Sequence, residues 1–263
     1  VEKSLSEAID NATNLDVGPI LQLTSAYEQG KSARELIDEH VLAAGFSDIG
    51  PSFPLDRPLY KHQEKALRKA TAGHNIIVST GTGSGKTESF LLPIINELVR
   101  QRDAGELGPG VRALLLYPMN ALANDQVKRL RELLAPLPDI TFGRYTGETE
   151  QSEKAALEKF RRMEGPGVER LPNELVSRDE IQKTPPHILL TNYAMLEYLL
   201  LRPRDTSLFD GEYADDWRFI VIDEAHVYAG AQGSEVAMLI RRLKDRVAAN
   251  KRIQCCLLYT SDA

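Results

Sequence analysis

Little in this 263-residue sequence lends itself to covalent or metal-borne stability. There are two cysteines, Cys255 and Cys256, and as chain neighbours they are poorly placed to bridge each other, which excludes a disulfide scaffold. The five histidines (His40, His62, His74, His187 and His226) fall at no spacing that would pair them with cysteine around a metal. Apolar runs such as Ile76-Ile77-Val78 and Leu199-Leu200-Leu201 are far short of the roughly 18–20 residues a membrane span needs. Val1-Glu2-Lys3-Ser4 lacks both an initiating Met and the apolar core of a signal peptide, so the expectation is a cytoplasmic chain, cut at that end. An excess of positive charge is missing as well. The net charge of -6 argues against a purely electrostatic nucleic-acid coat but leaves room for a local groove. What is present is ordinary globular material, 42% hydrophobic and 27% charged, with too much Leu, Ile and Val for a disordered chain.

Residues 1–50 read as a helical extension. Ser4-Leu5-Ser6-Glu7 and Ser32-Ala33-Arg34-Glu35 both carry the capping-box pattern. After the second, Leu36, Ile37, Val41 and Leu42 recur at helical spacing, with Gly45 as the stop. Gly50-Pro51-Ser52-Phe53-Pro54 and Pro58 then mark a linker. Beyond it, strands are predicted at 75–80, 112–117, 140–145, 187–191 and 218–223, and helices at 61–72, 87–101, 120–134 and 234–249. Near-continuous apolar strands separated by helices imply an α/β domain, doubly wound around a mainly parallel sheet. Pro93 is expected to bend its helix. Val236, Ile240, Leu243 and Val247 form one stripe, with Arg241, Arg242 and Lys244 off it as a solvated face. Residues 148–185, charged and broken by Gly165-Pro166-Gly167 and Pro185-Pro186, read as an insertion with one short helix outside the core.

The strongest local signal is Thr80-Gly81-Thr82-Gly83-Ser84-Gly85-Lys86-Thr87, between a predicted strand and a predicted helix. Its glycines let the backbone turn tightly with N–H groups inward, and the helix N-terminus adds positive potential for phosphate. Lys86 would reach the β- and γ-phosphates, and Thr87 would offer its hydroxyl to Mg²⁺. The strict pattern wants glycine at Thr80, so the match is partial, and the plain alternative is a Gly/Ser/Thr turn. A second signal ends the strand Phe219-Ile220-Val221-Ile222 in Asp223-Glu224-Ala225-His226. Carboxylates at the sheet's C-terminal edge beside the loop would let Asp223 hold Mg²⁺, partly through water, and Glu224 deprotonate an attacking water. By itself the pair is also an ordinary solvated strand end. Gln63, upstream of the loop, can donate to and accept from adenine at once, or simply face solvent.

Together these residues resemble a superfamily 2 helicase of the DEAD/DEAH-box type. Residues 80–87 are similar to its motif I and residues 223–226 to its motif II. Residues 117–126 (Tyr117-Pro118-Met119-Asn120-Ala121-Leu122-Ala123-Asn124-Asp125-Gln126) resemble motif Ia, and Thr146-Gly147-Glu148 resembles motif Ib. Thr191-Asn192-Tyr193 resembles the Thr-Pro element that follows, with Asn192 in place of Pro. The likeness covers about residues 55–254, a first RecA-like domain. Residues 191–197 and 230–235 look like a bacterial branch that includes the YprA-type and mitomycin-repair helicases, related to RecQ4-like eukaryotic repair enzymes. The resemblance implies ATP and Mg²⁺ as cofactors and single-stranded nucleic acid, DNA above RNA, as partner. Pro118, Asn120, Gln126, Thr146, Gly147, Thr191 and Asn192 would touch the strand's phosphates, contacts that carry no sequence information. It assigns His226 the coupling of the two sites. Each of these residues singly is also an ordinary loop or capping residue. Tyr60 would pack on the core or stack on adenine, and Tyr193, Tyr198, Leu196 and residues 199–201 read as core.

A superfamily 2 helicase continues from motif II into a strand ending Ser-Ala-Thr and a second RecA-like domain with arginine fingers. Here residues 256–263 instead resemble a translated sequencing adapter. Native sequence is therefore expected to end near residue 254 or 255, the alternative being a degenerate motif III that retains Thr260-Ser261. The expected function is the ATP-binding half of an ATP-dependent DNA helicase. RNA unwinding, duplex translocation and an ATP-dependent binding module are the rivals.

Overall fold

The computed structural model describes residues 27–50, 53–81, 83–165, 167–248 and 252–260. Burial along each strand dictates its place in the sheet. Strands β4 (Ala113–Tyr117) and β8 (Phe219–Ile222) are buried at every position, so both faces must be covered and both strands must be central. Strand β3 (Ile76–Thr80) buries Ile76 and Val78 but leaves Ile77 73% exposed, which is the pattern of an edge. With β5 (Phe142–Arg144), β6 (Glu174–Leu175), β7 (Ile188–Asn192) and β9 (Gln254–Thr260) they form one seven-stranded sheet in the order β3-β9-β8-β4-β7-β5-β6. Every pairing in it is parallel, so every loop that follows a strand emerges on the same edge.

Period-two alternation then splits the core in two. In β4, Ala113, Leu115 and Tyr117 enter one apolar cluster, while Leu114 and Leu116 enter the other. Helices α1 (Ala33–Asp38), α2 (Lys61–Thr71), α3 (Lys86–Asp103) and α4 (Asn120–Leu134) supply the first side. Helices α7 (Tyr193–Leu201) and α8 (Gly230–Val247) cover the second, and the expected stripe of Val236, Ile240, Leu243 and Val247 is buried there. Helix α3 runs on through Pro93 to Asp103. Tyr198 and Leu201, expected in the core, are 61% and 63% exposed, because the turn of α7 that buries Leu196 and Leu199 points them outward.

Residues 27–50 are not purely helical. Strand β1 (Gln29–Ser32) pairs antiparallel with β2 (Pro58–Tyr60). The capping box of Ser32 and Glu35 starts α1 as expected, whereas Ser4–Glu7 lies outside the described residues. The helix stops at Asp38, well before Gly45. The N–H groups of Val41 and Leu42 both return to the Leu36 carbonyl, which swings the chain back into the core with His40 at φ 60°. Leu36, Leu42, Phe46 and Ile49 are fully buried in the same cluster as the sheet.

Residues 148–185 depart further from expectation. They contain two helices, α5 (Glu153–Glu164) and α6 (Arg178–Lys183), and β6 between them extends the sheet. A two-residue strand is too short to show periodicity. Its anchor is Asn173, buried, whose Nδ2 donates to the carbonyls of Leu134, Leu137 and Ile140 at 2.9–3.0 Å. Arg131 grips Glu174 through two bonds of 2.8 Å and lies 4.8 Å over the Phe160 ring.

Two stability predictions follow from these buried polar groups. Asn173→Ala strips donors from three carbonyls and is expected to cost about 2–3 kcal/mol in urea unfolding. Buried His187 accepts from the Thr141 N–H at Nδ1 (2.9 Å) and donates from Nε2 to the Gly108 carbonyl (3.0 Å), which requires the neutral ring. Burial, reinforced by Arg112, pushes its pKa down from 6.5 to about 4. The unfolded chain therefore takes up the proton first. The stabilisation is complete above pH 6.5 and falls away as pH drops towards 4, by about 3 kcal/mol. Urea midpoints across that window should show a steeper loss for the wild type than for His187→Gln.

Candidate functional site

The loop between β3 and α3 is built as a cradle. Gly83 and Gly85 sit at φ 71° and 70°, a region that side chains disfavour. A Cβ on Gly83 would meet nothing, so its requirement is conformational, whereas one on Gly85 would lie 2.4 Å from Gln63 Nε2. Thr80 Oγ1 and the buried Ser84 Oγ are 2.6 Å apart, closing the loop on itself. Helix α3 begins at Lys86 with no side chain capping it, so its first N–H groups and its positive end face the loop. Lys86 Nζ donates to the Thr80 carbonyl at 3.2 Å, across the mouth of the cradle, and half-buried Thr87 follows it. Gly81 lies against the Tyr27 hydroxyl, and Thr82 is outside the described residues.

Helix α2 braces the cradle from behind. Gln63 is 4% exposed, which disposes of the solvent-facing alternative. Its Oε1 accepts from the Tyr60 N–H (2.8 Å) and its Nε2 donates to the Gly85 carbonyl (2.9 Å). His62 Nε2 donates to the Ser84 carbonyl at 3.0 Å, and burial lowers its pKa. Tyr60 stacks on His62 at 5.7 Å, with Tyr27 tilted against both. Tyr27 and His62 carried no motif signal. The β1–β2 pairing brings Tyr27 to the loop, and no local pattern foretells that pairing.

Asp223 and Glu224 reach the same edge, but β9 stands between their strand and β3. The Asp223 N–H continues the ladder to the Leu116 carbonyl (3.0 Å). Burial raises the Asp223 carboxyl above its ordinary range. The Glu224 N–H, 2.9 Å from Asp223 Oδ1, opposes this, as do the charges of Lys86 and His226. Glu224 itself is left-handed at φ 46°, an unusual conformation for a glutamate. His226 Nδ1 lies 3.2 Å from Glu224 Oε2 and its ring meets Tyr259 of β9 edge-on at 5.4 Å. Near Asp223, the hydroxyls of Tyr117 and Tyr228 are buried without a partner, and burial with the Asp223 charge pushes Tyr228 up to about 12. Orphaned hydroxyls beside a buried carboxylate suit a hydrated cation. The cradle and this acidic corner thus fit a nucleotide triphosphate with its divalent metal.

The residues expected to face a strand gather at the ends of β4, β5 and β7. Pro118 leads from β4 into α4, and Asn120 opens that helix, whose N-terminus has no side-chain cap. Asn192 Nδ2 donates to Asn120 Oδ1 (2.8 Å), and Asn120 Nδ2 donates to Glu148 Oε1 (2.9 Å). Asn192 Oδ1 also caps α7 through the Met195 N–H. The hydroxyls of Thr146 and Thr191 are buried and engaged, accepting from the Glu148 N–H and donating to the Tyr145 carbonyl respectively. Gly147 is exposed and its carbonyl accepts from Arg178. Gln126 sits a turn and a half into α4, half-buried, with Oε1 buried and unpartnered. Arg144, missed in the sequence, joins this group by donating to Asn124 Oδ1.

Comparison with known proteins bears on what this edge serves. The model of the DEAD/DEAH box helicase family matches residues 60–261. The chain is 33% identical to the Druantia protein DruE of Escherichia coli, over 92% of this chain and 18% of that protein. It is 32% identical to the ATP-dependent helicase YprA of Bacillus subtilis, over 99% of this chain and 28% of that one. The chain thus spans well under a third of the length of these relatives. Among solved structures, the DUF1998 helicase MrfA bound to DNA and AMPPNP superposes with a TM-score of 0.66 at 27% identity, over 91% of this chain and 28% of that one. The family model spans most of the chain, and the chain belongs to the DEAD/DEAH box helicase family, on the branch of the YprA-type helicases.

Proposed function

We propose that this chain is the ATP-binding half of an ATP-dependent helicase that acts on DNA in the full-length protein. The observation that carries the reading is a glycine cradle at a bare helix N-terminus with a half-buried Asp-Glu pair on the same sheet edge. The cradle's N–H groups and Lys86 bind the phosphates. Thr87 and Asp223 would hold Mg²⁺, which supplies charge neutralisation between the β- and γ-phosphates. Glu224 orients the attacking water and takes its proton, and His226, 3.2 Å from that carboxylate, ties it to Tyr259 of β9. Gln63 positions the loop through the Gly85 carbonyl, and because the Tyr60 N–H takes the other end of its amide, pairing with adenine would require it to exchange one of these backbone bonds. A second RecA-like domain of the full-length protein supplies the remaining charge stabilisation and the closing motion.

Pro118, Asn120, Gln126, Gly147 and Asn192 at the edge would meet the strand, with Thr146 and Thr191 shaping the backbone that meets phosphate. DNA is favoured by the likeness to MrfA, whose structure holds DNA.

Binding of a fluorescent ATP analogue to this chain, with Mg²⁺, tests the nucleotide half. Lys86→Ala is expected to weaken it at least tenfold, about 1.4 kcal/mol. In the full-length protein, Glu224→Gln should keep nucleotide binding and lower strand-stimulated turnover by about 10²–10⁴. Stimulation by DNA and RNA oligonucleotides of matched length separates the substrates. Equal nucleotide binding by wild type and Lys86→Ala would sink the reading.

A further inference from the structure

Glu148 stands at the centre of the strand-end edge rather than at its rim. Its Oε1 accepts from Asn120 Nδ2 at 2.9 Å, and its Oε2 lies 3.5 Å from Arg144 Nη1. Asn120 in turn accepts from Asn192. One carboxylate thereby takes up donors that arrive from the ends of β4 and β5, and a third strand end, that of β7, is tied in through Asn192. An amide N–H and a guanidinium presented together are the donors that bind a phosphodiester oxygen. A carboxylate presents the same two-oxygen, singly negative face. The backbone around it is held independently of the side chain, because Lys159 bonds the Glu148 carbonyl and Thr146 Oγ1 accepts its N–H. The side chain itself is 47% exposed.

Beneath it lies a cavity of about 190 Å³ lined in part by Arg144, Glu148, Lys128 and Lys159. A carboxylate turned away from Asn120 would meet Lys128 on that cavity's wall, where Lys159 already bonds the Glu148 carbonyl and Glu150.

We propose that Glu148 is an internal stand-in for a strand phosphate. It occupies the donors of Asn120 and Arg144 in the free protein and gives way, into the cavity, when nucleic acid arrives. It sets the threshold for strand binding rather than contributing to it. The inference rests on the strand-binding reading above and assigns that surface a built-in competitor.

The test is fluorescence anisotropy of a labelled oligothymidylate titrated with this chain and its variants at low salt. Glu148→Gln keeps an oxygen for Asn120 and removes only the charge. It is expected to bind about five- to tenfold tighter, with a salt dependence steeper by about 0.7 in log–log slope, one extra phosphate contact. Glu150→Gln, whose carboxylate pairs with Lys159 at 3.2 Å, controls for net charge and should change affinity less than twofold. Asn120→Ala should weaken binding. An equal gain from Glu150→Gln, or no gain from Glu148→Gln while Asn120→Ala still weakens binding, overturns this proposal and leaves the strand reading standing. Absence of strand binding by wild type and Glu148→Gln alike overturns both.

Discussion

Strand β9, which includes the adapter-like residues 256–260, lies hydrogen-bonded between β3 and β8, and in this structure the spacing of the nucleotide site depends on that placement. Ile76 registers with Cys256 on one side and Ile222 with Leu257 on the other. The loop after β3 and the acids after β8 are therefore held two strand spacings apart, about 10 Å. That gap is wide enough to admit a polyphosphate and short enough that the Lys86 charge is felt at Asp223. The same strand carries Tyr259 to His226, and its Gln254 bonds the carbonyls of Ala70 and His74 at the far end of α2. A parallel sheet without β9 would place the two motifs side by side.

Around that spacing the site is braced by polar side chains spent on backbone. Gln63 and His62 each donate to a carbonyl of the cradle, and Ser84 closes it from within. Such bonds hold N–H groups facing inward before any ligand arrives, which lowers the ordering cost of binding. The left-handed Glu224 is the counterpart on the acidic side, a local strain tolerated because the ladder to Leu116 fixes the residue before it.

The strand-end edge follows a different economy. Its amides and carboxylate satisfy one another across three strand ends, in a chain whose net charge of -6 argues against a purely electrostatic hold on nucleic acid. On the strand-binding proposal, affinity there would come from a few placed donors that already have internal partners, and exchange of those partners would control binding.

Much of this was legible in one dimension. The five predicted strands exist within about two residues of their expected bounds, and α4 spans residues 120–134 as its periodicity implied. Local rules suffice there: period, caps and the glycine loop are read from neighbours in the chain, and residues 80–87 stand out as a loop between strand and helix, with Asp223-Glu224 gaining meaning only beside them. What tertiary structure alone decided involves partners remote in sequence. The insertion of β9 between β3 and β8, the two-residue β6 anchored by Asn173, the arrival of Tyr27 at the loop and the meeting of Asn120, Glu148 and Asn192 leave no periodic trace. The sequence by itself determined the long strands and helices of the α/β core and the segments that carry the helicase motifs. The order of the strands, and with it which of those residues meet, was decided by burial and by hydrogen bonds between segments that no local pattern records.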